Sequence, residues 1–193
     1  MKLLGSPTSP YVRKCRVTLA ELGLADSVAF VVAPPTSDEL IAVNPVMKVP
    51  ALVLDNGDSL FDSRMIMRYL NEKAGGKLYP AGDWAMVRRE STAEGMIDAS
   101  LLLRMETFAR PEQFRWDGWI EIQSKKINSV LDAMEAEVGT LGAVSGAAIG
   151  MACGLGYLDF RFADWGWRNG RPGLAKWFEG FSARASMQGS KHE

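Results

Sequence analysis

The spacing of apolar residues changes along this chain, and that change constrains the fold more than any other feature. In the first part, short runs rich in β-branched and aromatic residues alternate with helical periods. From Trp84 onward, every periodic segment repeats at helical spacing. The pattern predicts a mixed α/β unit followed by an all-helical unit.

Strand-like and helical segments alternate in the first unit. Strands are predicted at residues 2–4, 28–32, 51–54 and 59–61. Helices are predicted at 11–22 and at 63–73. Asn56-Gly57, between the last two strands, predicts a hairpin turn in which both central residues take positive φ. This order predicts a mixed sheet with helices packed on it.

The second unit contains four predicted helices. One covers 86–110, the next opens at Pro111-Glu112 with an apolar stripe that includes Ile122, and two more cover 147–162 and 172–184. Residues 76–83 form the predicted linker, so the expected division is 1–75, 76–83 and 84–193. The polar tail at 189–193 is expected to fray.

Composition excludes several functional classes. The formal net charge of −1 provides no field that would favour nucleic acid or an anionic membrane. The chain has no run of about 18 consecutive apolar residues, so a membrane span is not expected. Cys15 and Cys153 form no CxxC motif, which indicates free thiols in the cytoplasm. A single histidine, His192, argues against a histidine metal site or a Ser-His-Asp triad, and no metal is expected.

The first motif that carries chemistry follows the first strand. Ser9 is predicted as a helix N-cap and Pro10 as the first helical residue, and a capping role alone would explain Ser9. The alternative is that its hydroxyl and the positive helix end stabilise a thiolate. Lowering a thiol pKa of about 8.5 by about two units needs about 2.7 kcal/mol. A hydrogen bond to a charged group supplies roughly 1.5–3 kcal/mol.

Two further motifs stand at element ends. A trans Val49-Pro50 bond would make a plain turn, whereas a cis bond would expose the Val49 N–H and C=O to an extended peptide. Asp62 and Ser63 are either an ordinary helix cap or a zwitterion site. In the second case Ser63 takes a carboxylate and Asp62 takes an ammonium group.

In this order and spacing, the three motifs resemble the N-terminal domain of cytosolic glutathione transferases, in a bacterial, YibF-like branch. The helical segments, including 156–161, fit the same family. The resemblance implies a thioredoxin-like domain of βαβ-α-ββα order followed by a helical bundle. It also implies glutathione as co-substrate, a role in detoxification and a homodimer.

The resemblance implies roles for individual residues. Ser9 stands where glutaredoxins carry the first Cys of CPxC, and a serine there favours activation of a thiol over disulfide exchange. Thr8 and Ser6 compete with Ser9 as the partner of the thiol, and Tyr11 is a further catalytic candidate that ranks below Ser9.

The rest of glutathione would lie along the other two motifs. Val49 would pair its backbone with the cysteinyl part, next to a cis Pro50. Asp62 and Ser63 would hold the γ-glutamyl end, and Lys48 would reach the glycyl carboxylate. Family members often carry glycine where Met47 stands, so Met47 is expected to add bulk beside the ligand.

A small apolar electrophile is expected between the first helix and the helix at 86–110. The residues proposed to line its pocket are Ser6, Pro7, Tyr11, Leu101, Leu102, Arg104, Met105 and Phe108. Most of them would equally suit an interdomain core. Asp98 is expected, by analogy, to help bind the glutathione of a neighbouring subunit.

Two other functions remain open at this stage. The same fold serves in non-catalytic ligand binders and in proteins of the stringent starvation type, which tend to lose the glutathione determinants present here. A glutathione-dependent thiol/disulfide reductase would need a thiol at position 9, and the nearest cysteine is Cys15.

Overall fold

A computed structural model describes residues 1–192. The strands are β1 (Lys2–Gly5), β2 (Ala29–Val32), β3 (Ala51–Val53) and β4 (Ser59–Leu60). The helices are α1 (Pro10–Glu21), α2 (Asp38–Val43), α3 (Ser63–Lys73), α4 (Trp84–Arg104), α5 (Asp117–Ala136), α6 (Gly146–Arg161), α7 (Pro172–Ser182) and α8 (Ala185–Gln188). The predicted α/β unit and helical unit are therefore confirmed.

The sheet is mixed and has four strands in the order β2-β1-β3-β4. β1 runs parallel to β2 and antiparallel to β3, and β3 pairs antiparallel with β4. Side chains alternate between the two faces. Leu3 and Leu52 join the main core under α1 and α3, whereas Leu4 and Ala51 pack with Leu40 of α2. The sheet thus has helices on both faces, as a thioredoxin-like domain requires.

The hairpin between β3 and β4 differs from the expected turn. Gly57 takes a φ of 91°, but Asn56 does not take positive φ. The Asn56 side chain instead accepts a hydrogen bond from the Asp58 N–H at 3.1 Å and donates one to the Asp58 carboxylate at 2.7 Å. These local bonds hold an Asx-type turn that needs only one left-handed residue.

The helical unit is built around α6, which is buried from Gly146 to Leu158 between α4, α1 and α7. Ser145 caps it by accepting a hydrogen bond from the Ala148 N–H at 3.2 Å. Within residues 1–192, no helix combines the length and the apolar character that a membrane span needs.

The predicted helix at 86–110 is not α-helical throughout. After Arg104 the chain widens into a π-helical turn, Met105–Ala109. Glu106 is only 5% exposed there, and its carboxylate accepts hydrogen bonds from the Trp116 N–H and the Arg110 Nε, both at 2.8 Å. Because these contacts tie the turn to the following loop, α5 begins at Asp117 and not at Pro111-Glu112.

Two other expectations were wrong. The C-terminal tail does not fray over the described residues: Ser190 is buried, and the His192 ring stacks on Phe160 at 5.0 Å between ring centroids. Its Nδ1 also lies 3.3 Å from the Pro7 carbonyl oxygen. Ile122 of α5 is exposed and does not join the buried stripe of that helix. Glu193 lies outside the described residues.

Candidate active site

One cleft of about 890 Å³ lies where the sheet unit meets the helical unit. Its walls come from the N-terminal end of α1, the loop before β3, the start of α3, the second half of α4 with its π-helical turn, and the end of α6. All three sequence motifs therefore meet at one cavity.

Ser9 stands at the N-cap of α1, with Pro10 at the first helical position, as predicted. The Ser9 Oγ accepts a hydrogen bond from the Val12 N–H at 3.3 Å. A hydroxyl has one donor hydrogen as well as two acceptor lone pairs. The capping bond therefore leaves the Ser9 hydrogen available to a group in the cleft, so capping and thiolate binding are compatible.

Ser6 and Thr8 also line the cleft. Their hydroxyl oxygens are 2.9 Å apart and share a hydrogen bond. The Ser6 Oγ lies 3.4 Å from the Thr8 N–H, which donates to it. One of the two hydroxyl hydrogens is therefore committed to the pair, and the other stays available to a group in the cleft, so Ser6 and Thr8 still compete with Ser9 as the donor.

Tyr11 is held by the helical unit. Its hydroxyl donates a hydrogen bond to the Asp98 carboxylate at 2.5 Å. Burial raises the pKa of Tyr11 well above its usual value, and the bond to Asp98 raises it further. Close by, buried Lys14 forms an ion pair with Glu94. Both acidic residues of α4 that face the cleft are thus engaged by α1.

The loop before β3 is shaped by Asn44. Its side chain donates a hydrogen bond to the Lys48 carbonyl at 2.7 Å and accepts one from the Val46 N–H at 3.0 Å. The Val49-Pro50 bond is cis. Met47 takes a φ of 56°, the left-handed conformation that favours glycine.

The start of α3 forms the far end of the cleft. The Asp62 Oδ1 accepts hydrogen bonds from the Arg64 N–H at 2.9 Å and the Met65 N–H at 3.4 Å, so Asp62 is the N-cap. Ser63 is 1% exposed, and its Oγ has no hydrogen-bond partner among residues 1–192. An unpaired buried hydroxyl costs about 1–3 kcal/mol, so a ligand that binds it would recover that free energy. The Phe61-Asp62 peptide is also cis.

Most of the residues expected to contact the electrophile lie in the half of the cleft between α1 and α4, which we call the acceptor half. Leu101, Arg104, Met105 and Phe108 line it, in addition to Ser6 and Tyr11. Leu102, by contrast, is 42% exposed on another side of α4, and neither it nor Pro7 lines the cleft. The period of an α-helix explains Leu102, because adjacent residues point about 100° apart.

Several lining residues had no assigned place in this cleft, among them Arg64, Glu94, Tyr157 and Arg161. Tyr157 and Arg161 are one turn apart at the end of α6. Their i, i+4 spacing indicates a shared helix face. No local signal indicates that this face meets α4 at the cleft, since that depends on how the two helices pack.

Both cysteines are buried. Cys15 is fully buried, and its Sγ lies 3.8 Å from the Ser63 carbonyl oxygen. Burial raises the pKa of the Cys15 thiol, and it raises the pKa of Cys153 to about 11. Neither side chain presents a thiolate to the cleft near neutral pH.

Comparison with known proteins adds independent evidence. A model of the glutathione S-transferase N-terminal domain matches residues 3–78, and a model of the C-terminal domain matches residues 117–180. The "Uncharacterized GST-like protein YibF" of Escherichia coli (strain K12) is 35% identical, over 97% of this chain and 96% of that protein.

Solved structures agree. A glutathione transferase family member from Pseudomonas fluorescens Pf-5 with bound glutathione is 39% identical, covers 100% of this chain and 98% of its own, and superposes with a TM-score of 0.94. A second structure of a family member from that organism, with bound S-(propanoic acid)-glutathione, is 39% identical, covers 100% of both chains and has a TM-score of 0.92.

Proposed function

Since the chain belongs to the glutathione S-transferase family, we propose that it binds glutathione in this cleft and ionises the thiol for attack on a small apolar electrophile. Ser9 donates the hydrogen bond that stabilises the thiolate, at the positive end of α1. The enzyme acts in the cytoplasm, as a homodimer, in detoxification.

One observation carries this proposal: three separate elements present groups suited to a zwitterionic peptide around a single cleft. These groups are the free Ser9 hydrogen, the Val49 backbone beside cis-Pro50, and the unpaired Ser63 hydroxyl. A pocket of this size suits a small peptide, since ligand sites usually enclose about 300–1,000 Å³.

In the proposed complex, glutathione lies along these groups from end to end. Its γ-glutamyl carboxylate pairs with Ser63 and the α3 N-terminus, and its ammonium group lies near Asp62. The cysteinyl part pairs with the Val49 backbone. The exposed Lys48 side chain reaches the glycyl carboxylate. The sulfur is then left at Ser9.

The electrophile occupies the other half of the cleft, against Leu101, Met105 and Phe108. The sulfur lone pair forms a bond to the electrophilic carbon, and the bond to the leaving group breaks. Holding both reactants together lowers the entropic cost of the encounter. A π-helical turn at Met105–Ala109 widens this end of the site, and such turns are frequent at functional sites.

The burial of Cys15 disfavours a thiol/disulfide reductase, because the thiolate is the reactive form.

Conjugation of an electrophile is the measurement that separates a transferase from a non-catalytic binder. We expect retention on immobilised glutathione, elution by free glutathione, and accelerated conjugation of a chlorodinitrobenzene. Retention without conjugation of any of a panel of electrophiles would favour a binder, and failure to be retained would contradict the proposal.

A further inference from the structure

Two arginines face the acceptor half of the cleft from different helices. Arg104 is the last residue of α4, and Arg161 is the last residue of α6. Both line the cleft and both are half-buried. The α4–α6 packing therefore brings two guanidinium groups to one wall of a site that is otherwise largely apolar.

Neither arginine forms an ion pair with any residue from 1 to 192. Instead, each guanidinium lies over an aromatic ring. Arg104 Cζ lies 3.2 Å from the Phe108 ring centroid, and Arg161 Cζ lies 4.0 Å from that of Phe160. Stacking engages the flat face of a guanidinium, so the donors in its plane stay open to other partners. One donor of Arg161 faces the Tyr157 hydroxyl, whose pKa is raised by burial, so this partner carries no charge and leaves the cation without a counter-ion.

The nearby acidic residues do not neutralise this pair. Glu94 is committed to Lys14, and Asp98 accepts the hydrogen bond from Tyr11. Burial lowers the pKa of Arg104, and the positive charge of Arg161, which lines the same cleft, lowers it further. Arg161 also has a buried Nε without a partner in the described part of the chain. Because the two guanidinium groups lack a counter-ion, they create a positive potential that favours binding of an anion.

We propose that Arg104 and Arg161 bind a carboxylate carried by the electrophile, so that the preferred second substrate is a small molecule with an apolar body and an anionic end. A carboxylate matches the planar donor fork of a guanidinium, and Leu101 and Met105 contact the body. The proposal rests on the proposed function, because it assumes that glutathione occupies the rest of the cleft.

The test compares two glutathione conjugates that differ only at this end. S-(carboxyethyl)glutathione carries the carboxylate, and S-(carbamoylethyl)glutathione carries an uncharged amide of the same shape. Calorimetry measures the affinity of each for the wild-type chain and for Arg104→Gln and Arg161→Gln. The wild type is expected to prefer the carboxylate by roughly tenfold or more, as for a charge-assisted hydrogen bond.

Each glutamine variant is expected to lose most of that preference, and its affinities for the amide conjugate and for unmodified glutathione provide the reference for that variant. Arg161→Lys keeps the charge and is expected to keep part of the preference. The matched control is Arg88→Gln, an exposed arginine of α4 that pairs with Glu137 and does not line the cleft.

The outcomes separate the two proposals. If the wild type bound both conjugates equally, or if the glutamine variants weakened both equally, the carboxylate site would be wrong and the glutathione site would stand. If neither conjugate nor glutathione bound the wild type, the proposed function would fall and this inference with it.

Discussion

The Tyr11 hydroxyl donates a hydrogen bond to the Asp98 carboxylate at 2.5 Å, and this contact joins the first helix of the sheet unit to the long helix of the other unit. It lies in the wall of the cleft, one helical turn from the Lys14–Glu94 pair. The contact has two consequences. It fixes the two units across the candidate active site, and it commits the Tyr11 hydrogen to Asp98 and not to a ligand in the cleft.

Replacing Tyr11 should therefore change stability more than chemistry. We expect Tyr11→Phe to lower the free energy of unfolding by about 1 kcal/mol, the net value of a hydrogen bond. The pKa of bound glutathione should stay at its wild-type value. Urea unfolding of Tyr11→Phe, Asp98→Ala and the double variant measures the coupling between the two residues. A large rise in the pKa of bound glutathione in Tyr11→Phe would instead identify Tyr11 as the partner of the thiol.

Met47 lies in the loop before β3 with a φ of 56°, a conformation that costs a non-glycine residue about 1–2 kcal/mol. Glycine removes that cost but adds backbone entropy to the unfolded chain. We expect Met47→Gly to raise the free energy of unfolding by about 0.5–1 kcal/mol, as measured by urea titration. Val46→Gly, at a neighbouring exposed position without positive φ, is the control and should destabilise. Destabilisation by Met47→Gly would show that packing of the Met47 side chain outweighs the backbone conformation.

The docked tail makes stability depend on pH through His192. Burial of the ring lowers the pKa of His192 to about 4, below its ordinary value of about 6.5. Between these values the unfolded chain binds a proton that the folded chain does not, so His192 lowers stability as pH falls from about 6.5 toward 4. We expect His192→Phe, which retains a ring to stack on Phe160, to reduce this loss.

The measurement is the free energy of unfolding at a series of pH values for the wild type and His192→Phe. The two curves should diverge as pH falls below about 6.5 and run parallel below about 4. Curves that stay parallel throughout would mean that the tail does not hold a neutral histidine against Phe160.

The local parts of the site were predictable from sequence, because they depend on neighbours along the chain. Ser9-Pro10 signals a capped helix start, and Asp62 caps α3 for the same reason. The position of the hairpin was also predictable. Its turn type was not, since the Asn56 side chain accepts a hydrogen bond from the Asp58 N–H.

The acceptor half depended on tertiary packing and was predicted less well. Arg104 and Arg161 are far apart in sequence, and only the packing of α4 on α6 brings them together. The same holds for His192, because the polar residues next to it in the sequence predict a frayed tail. Its ring is half-buried because Tyr157 and Phe160 of α6 lie next to the loop before α1.

The central claim is that Ser9 makes the thiol of bound glutathione easier to ionise. The most direct measurement is a pH titration of the thiolate absorbance of the complex in the wild type, Ser9→Ala and Ser9→Thr, with Thr8→Val and Ser6→Ala as matched controls. We predict a wild-type pKa about two units below the free value of about 8.5. Ser9→Ala should raise it by at least about one unit, while Ser9→Thr and the two controls leave it low. An unchanged pKa in Ser9→Ala would contradict the account.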